Sequence, residues 1–222
     1  MDVTYDAVAK GLAAIGLEPR GGFHPTPDES PAQTIILSGN SGPDMWRHFA
    51  SEMPDVPNPL DPNPLDNWSR DRLTQIARQF DATVVMPSDG PPYAPFQQWA
   101  RRSEPLHASP LGILIHPEYG LWHGYRGALL FAERLTLPAP VQSASPCDTC
   151  ADNPCLTACP VGAFTKAGYD TKICATHLRR PEGADCLEQG CRARRACPVG
   201  ADRRYEGAQN NFHMSAFLRN QP

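Results

Sequence analysis

Apolar positions Val8, Leu12, Ile15 and Leu17 recur at near-helical spacing and predict an opening amphipathic helix, ended by Gly16 or by Pro19. The Gly- and Pro-rich stretch from Gly21 to Pro31 reads as loop. Gln33 to Ser38 is a short apolar run bounded by Pro31 and Gly39, which predicts a buried strand. Ser41 to Met53 opens on a Ser-Gly-Pro-Asp helix start. The prolines between Pro54 and Asn67 can continue neither neighbour, because proline lacks an N–H and clashes with the preceding turn, so that segment reads as loop. Leu73, Ile76, Ala77 and Phe80 then share one helix face. Ala82 to Met86 predicts a strand, and a helix runs through Phe96 to Arg101. Leu111 to His116 and Leu121 to Leu135 flank the turn residues 117–120 and read as a β-hairpin. Residues 137–146 are proline-rich and aperiodic and mark a boundary. The tail positions Phe212, Met214, Phe217 and Leu218 are apolar enough to predict a short packed helix.

Helices mixed with four or five short strands make the first part α+β or α/β. At 222 residues the chain can bury a sizeable core, as one large domain or one domain with an appendage. Its net charge of −4, without a long run of either sign, does not advertise a nucleic-acid binder. No apolar run is long enough to span a membrane. The N-terminus lacks the basic and apolar regions of a secretory signal, so the expected compartment is the cytoplasm, where thiols stay reduced.

Chemistry concentrates at the cysteines. All of them, Cys147, Cys150, Cys155, Cys159, Cys174, Cys186, Cys191 and Cys197, lie within one stretch, and both Cys159 and Cys197 precede Pro-Val-Gly-Ala. Two-cluster bacterial ferredoxins use CxxCxxCxxxCP runs in which the fourth cysteine crosses to the other cluster. The same crossing here would pair Cys197 with Cys147, Cys150 and Cys155 on one [4Fe-4S] cluster. Cys159, Cys174, Cys186 and Cys191 would hold the second. Two Cys₄ zinc sites or four disulfides are the alternatives; zinc would want compact CxxC knuckles in separable halves, without the repeated Cys-Pro after a wider gap. From Cys147 onward there are ten Lys/Arg against eight Asp/Glu, and before it ten against sixteen. Arg192, Arg194, Arg195, Arg203 and Arg204 therefore read as charge compensation near anionic clusters, or as a docking surface for an acidic redox partner.

Three stretches resemble the cobalamin-processing chaperone family of methylmalonic aciduria and homocystinuria type C. They are Gly22–Pro25 with Thr34–Ser38 and Met45–Phe49; Asn63–Asp66; and, most specifically, Ile115-His-Pro-Glu-Tyr-Gly-Leu-Trp-His-Gly-Tyr-Arg-Gly-Ala-Leu-Leu130. The cysteine stretch, with Lys172–Leu178, Gly190-Cys191 and the final Cys-Pro, is similar to the epoxyqueuosine reductase and reductive dehalogenase layout. Ser69–Arg72 is weakly similar to a helix start in that reductase. The resemblance implies a nitroreductase-like α/β cobalamin-binding domain over residues 1–140. It implies a ferredoxin-like two-[4Fe-4S] module with a C-terminal tail over 141–222. It also implies base-off cobalamin as a cofactor or cargo, reduced or stripped of its upper ligand with electrons from an external donor protein. The chain ends soon after Cys197, so tRNA is not expected as substrate, and no membrane partner is expected.

Toward a corrinoid, Trp122, Tyr125 and Phe131 would wall an open cobalt face. Arg126 would bind a propionamide or phosphate oxygen, and Gly120 and Gly127 would allow close backbone approach. Each has a structural alternative, as core, cross-strand pair, turn or bulge. His116 and His123 could reach cobalt or iron, as could His213, though a histidine beside a turn is commonly structural. Asp66 and Asp71 could donate protons; helix capping at Asp66 and a surface charge at Asp71 are the alternatives. His24 reads as a loop residue.

Overall fold

A computed structural model describes residues 3–54, 61–165 and 167–222. The elements run α1 (Tyr5–Ala14), β1 (Glu18–Phe23), β2 (Thr34–Ser41), α2 (Asp44–Glu52), α3 (Pro64–Gln79), β3 (Thr83–Val85) and α4 (Phe96–Ser103). After these come β4 (His107–Ala108), β5 (Leu114–Ile115) and β6 (His123–Phe131), then α5 (Pro154–Thr157), β7 (Phe164–Thr165) and β8 (Gly168–Tyr169). The chain closes with α6 (Thr171–Leu178), α7 (Ala184–Gln189), α8 (Arg192–Arg195) and α9 (Gly207–Arg219). They fall into two compact units, neither continuous in sequence: Met1–Pro105 with His123–Gln142, and Leu106–Trp122 with Ser143–Pro222. The sequence boundary at 140/141 lies beside the second switch point. Residues Leu106–Trp122 belong to the second unit.

The first unit is built on an antiparallel sheet ordered β1-β2-β6-β3. All eight positions of β2 are buried, which accounts for the consecutive apolar residues Ile35–Leu37 in place of an alternation, and Thr34, Ser38, Asn40 and Ser41 are buried polar positions beside them. Helices α2 and α4 pack on β2, α4 also on β1, and α3 on β6 and β3. Thr4 caps α1, its hydroxyl accepting from Ala7 N at 3.2 Å. Aromatic side chains join the helices: Phe49 meets Trp68 edge-on at 5.7 Å, and Phe23 meets Trp99 at 6.1 Å.

Four sequence expectations are overturned here. Residues 21–23 are not loop but the end of β1, which pairs with β2 through an irregularity between Pro19 and Gly22. Gly21 has φ +67, and a Cβ there would lie 2.3 Å from Ser103 O, so the glycine that suggests a loop is what lets this strand bend past α4. The β-hairpin across residues 117–120 does not form either. β5 pairs with β4 (His107↔Ile115, Ala108↔Leu114), whereas β6 pairs with β2 and β3, and only an isolated His116↔Gly120 bridge remains at the turn. In the Pro-rich segment, residues 55–60 lie outside the described residues, and residues 64–67, expected as loop, are instead the first turn of α3, where the missing N–H of Pro64 costs no helical hydrogen bond. Asn63, not Asp66, is the N-cap residue of that helix.

In the second unit the core is partly thiol. Leu111, Ile115, Leu121 and Ala193 are buried together with Cys155 and Cys197, and Cys147, Cys159, Phe164, Cys191 and Val199 pack against them. The tail is helical as expected and packs on α7. Its fully buried residues are the polar Gln209 and Asn210, while the four apolar positions are half-buried.

Candidate functional site

Short elements place the thiols. Cys147 and Cys150 flank a turn, with Cys150 N bonded to Cys147 O at 3.3 Å. Cys155 lies on α5, Cys174 on α6 and Cys186 on α7, while Cys191 is the N-cap of α8 and Cys197 follows that helix. All eight are free thiols, so the disulfide alternative is not met. Their electrostatic neighbours divide them. Burial, and after it Cys197 and Cys150, push the Cys147 pKa up. Cys155 is raised by burial and then by Cys197, Cys147 and Cys150. Cys197 is raised by burial and by Cys150. Separately, burial raises Cys174, as do Cys191, Cys159 and Cys186. Cys191 is raised by burial and by Cys186 and Cys159.

Donors already point at several sulfurs. Ala163 N lies 3.3 Å from Cys159 Sγ. The backbone N–H groups of Ala193 and Arg194 donate to Cys191, that of Val199 donates to Cys197, and the Tyr169 hydroxyl donates to Cys174. Tyr169 is held by stacking on Phe164 at 4.7 Å and on Phe217 at 6.1 Å. Cys159, Cys174, Cys186 and Cys191 line one small pocket, with Phe164, His177 and Met214 among the other walls.

Among the described residues, no three His, Cys, Asp or Glu side chains are placed to hold a single metal ion. A zinc site needs four ligand atoms within about 2.3 Å of one centre. The second thiol set lines one shared pocket. Sulfur donors with N–H and O–H groups aimed at them suit an iron–sulfur cluster, whose potential depends on hydrogen bonds to its sulfurs.

The arginines have divided tasks. Arg194 donates to Leu121 O at 3.1 Å and 2.5 Å and lies 4.4 Å over the Trp122 ring and 4.6 Å over Tyr205. Arg192 pairs with Asp185 at 2.6 Å, and Arg195 pairs with the same carboxylate while donating to Gly190 O at 3.1 Å. Arg204 donates to Arg195 O at 2.6 Å and also counteracts the rise of the Cys197 pKa. Arg203 reaches Glu118 at 3.5 Å. Three of the five therefore pin backbone carbonyls, a structural role alongside charge compensation.

Residues 115–130 are shared between the units. His116, Gly120 and Trp122 belong to the second; His123, Tyr125, Arg126, Gly127 and Phe131 to the first. His116 is buried, stacked on Tyr119 at 4.1 Å, and its Nδ1 accepts from Glu118 N at 3.1 Å and Tyr119 N at 3.3 Å. A Cβ on Gly120 would lie 2.0 Å from Val199 O, and one on Gly200 2.4 Å from Tyr119 O, so the close approach these glycines permit is of backbone to backbone. Trp122 is fully buried against Tyr205 at 5.4 Å. Tyr125 donates to Glu104 at 2.5 Å, inside a buried network with Arg20. Arg126 reaches Asp66 at 3.5 Å and keeps its Nε buried with no hydrogen-bond partner. Gly127 leaves room for Leu73, whose Cδ1 would be 2.5 Å from a Cβ there, and Phe131 is core. His123 stands edge-on to Tyr125 at 6.1 Å, and His213 lies 5.8 Å from Tyr205. Asp71 is exposed, and His24 Nε2 meets Leu135 O at 3.0 Å. Sequence reading did not single out Tyr169 or His177; His177 stands three residues after Cys174 on α6, a helical spacing that could have drawn attention to it.

No protein-family model matches the chain, and no curated protein matches it. Solved structures do. The epoxyqueuosine reductase of Streptococcus thermophilus is similar over 90% of this chain and 67% of its own, at 15% identity and a TM-score of 0.52. That of Bacillus subtilis is similar over 90% and 66%, at 13% identity and a TM-score of 0.52. A B12-trafficking protein of C. elegans, CblC, a human MMACHC homologue, is similar over 96% of this chain and 95% of its own, at 13% identity and a TM-score of 0.51. The chain thus spans about two thirds of the length of the reductases. At these identities the likeness is one of fold: a mixed α/β architecture similar to both families that the sequence resembles.

Proposed function

We propose that this chain is an iron–sulfur redox protein that delivers electrons to base-off cobalamin, for reduction of the corrinoid or removal of its upper ligand. The division of eight free thiols into two neighbourhoods, with Cys159 and Cys197 each grouped away from its own run, carries this reading. Cys147, Cys150, Cys155 and Cys197 would hold one [4Fe-4S] cluster in a ferredoxin-like module, and Cys159, Cys174, Cys186 and Cys191 the other. When bound, such clusters supply single electrons at low potential without a flavin. The chain's own part is to keep the sulfurs partly shielded from water and to aim N–H and O–H donors at them.

The cobalamin limb draws support from the likeness to a B12-trafficking protein and from the stretch Ile115–Leu130. Of its candidate ligands, Arg126 keeps an unsatisfied donor suited to an amide or phosphate oxygen. Tyr125 has its hydroxyl engaged, and Trp122 offers no exposed face. Electrons would come from a separate donor protein in the reducing cytoplasm. No helix among the described residues is long and apolar enough to cross a membrane.

Anaerobic purification with iron and sulfide analysis, then titration with hydroxo- and cyanocobalamin, tests the proposal. About eight irons per chain and a base-off spectral change are expected. Iron without corrinoid binding would leave an electron carrier of the ferredoxin type. Corrinoid turnover only with an added small organic acceptor would make it a cobalamin-dependent reductase. Zinc in place of iron would sink all three.

A further inference from the structure

The cavity between Cys159, Cys174, Cys186 and Cys191 has one wall that the thiols do not explain. His177 sits on α6 three residues after Cys174, so the two side chains leave the helix on one face and meet the same space. Its Nε2 is buried and has no hydrogen-bond partner. No other lining side chain offers an oxygen acceptor: beyond the sulfurs of the cysteines and Met214 these side chains are apolar or belong to Arg192, a donor already paired with Asp185. A buried ring nitrogen without a partner is unfavourable, and a hydrogen-bonding group inside the cavity would satisfy it.

We infer that His177 donates its Nε2–H to the sulfur group held by Cys159, Cys174, Cys186 and Cys191 and thereby raises that group's reduction potential. The inference rests on the cluster assignment proposed above. An N–H aimed at sulfur stabilises the more negative, reduced form over the oxidised one. Tyr169, whose hydroxyl donates to Cys174, acts in the same direction, so α6 and the β7–β8 hairpin together supply side-chain donors to this set. His177 is accordingly a positioning and tuning residue, not a ligand.

The test uses the full chain, purified anaerobically, as wild type, His177→Leu and His177→Gln, each assayed for iron and sulfide before an EPR-monitored redox titration. Expected are equal iron in all three proteins and two one-electron waves in the wild type. The Leu variant should move one wave to more negative potential and leave the other in place, and the Gln variant, which retains an N–H donor, should recover much of the shift. Wild type labelled with ¹⁵N-histidine should show a nitrogen coupling to one reduced cluster, lost in the Leu variant. Unmoved waves at full iron content, or equal shifts in Leu and Gln variants, would overturn the inference. Loss of half the iron in both variants would make His177 a ligand and overturn it as well. A wild type without iron would instead refute the cluster assignment itself, and the donor role with it.

Discussion

The Arg20 guanidinium, only 1% exposed, is held by Glu104 through Nε at 3.0 and 3.1 Å and Nη2 at 3.0 Å, and donates to Asn40 O at 3.0 Å. Tyr125 completes the group, its hydroxyl on the same carboxylate. Burial foremost, then the Glu104 charge, push the Tyr125 pKa far above the ordinary phenol value. Burial alone would lower the Arg20 pKa, but Glu104 and Tyr125 outweigh it, so the guanidinium stays charged. An ion pair of this kind is weak support for stability while intact, yet removing Glu104 leaves the buried guanidinium with the looser Glu18 contact at 3.5 Å as its nearest carboxylate. Glu104→Gln should therefore cost about 3–5 kcal/mol in urea unfolding. Tyr125→Phe should cost only about 1–3 kcal/mol, the worth of one hydrogen bond to a charged group. Similar losses from the two variants would mean that the carboxylate does not hold Arg20 in solution.

Helices and strands with a strong period are legible before any coordinates. Val8 and Leu12 of α1, Leu73, Ile76 and Ala77 of α3, and Ile35–Leu37 of β2 announce their own burial, whereas the buried Ser38–Ser41 end of β2 does not. β1 is not legible, because Pro19, Gly21 and Gly22 carry turn chemistry and its place in the sheet is fixed by pairing with β2, a tertiary fact. The turn at 117–120 misleads for a related reason: turn residues predict a reversal but not which strand receives the chain afterwards. At the cysteines, the repeated Cys-Pro is enough to suggest a crossed division, whereas the donors Tyr169 and His177 lie outside the motif. The division is testable element by element. Under crossed ligation, Cys197→Ser should perturb the same EPR signal as Cys147→Ser, and Cys159→Ser the same signal as Cys191→Ser. Ligation by consecutive runs would instead pair Cys159→Ser with Cys147→Ser, and Cys197→Ser with Cys191→Ser.

At the scale of the whole molecule, the cysteine-bearing unit is discontinuous, since Leu111, Ile115, Leu121 and Trp122 reach its core from the earlier segment Leu106–Trp122. A fragment of residues 143–222 should accordingly lack a cooperative unfolding transition, and one that also carries residues 106–122 through a linker should regain it. Calorimetry would decide, and a cooperative short fragment would refute the dependence. The interlocked glycines add a matter of timing. Gly120 lies against Val199, and Gly200 against Tyr119, so a segment made early must wait for partners 79 residues later. At a ribosomal rate of about 5–20 residues per second, that wait is roughly 4–16 s. Through that interval the newborn segment 106–122 carries apolar side chains whose full burial waits on residues translated after the last cysteine.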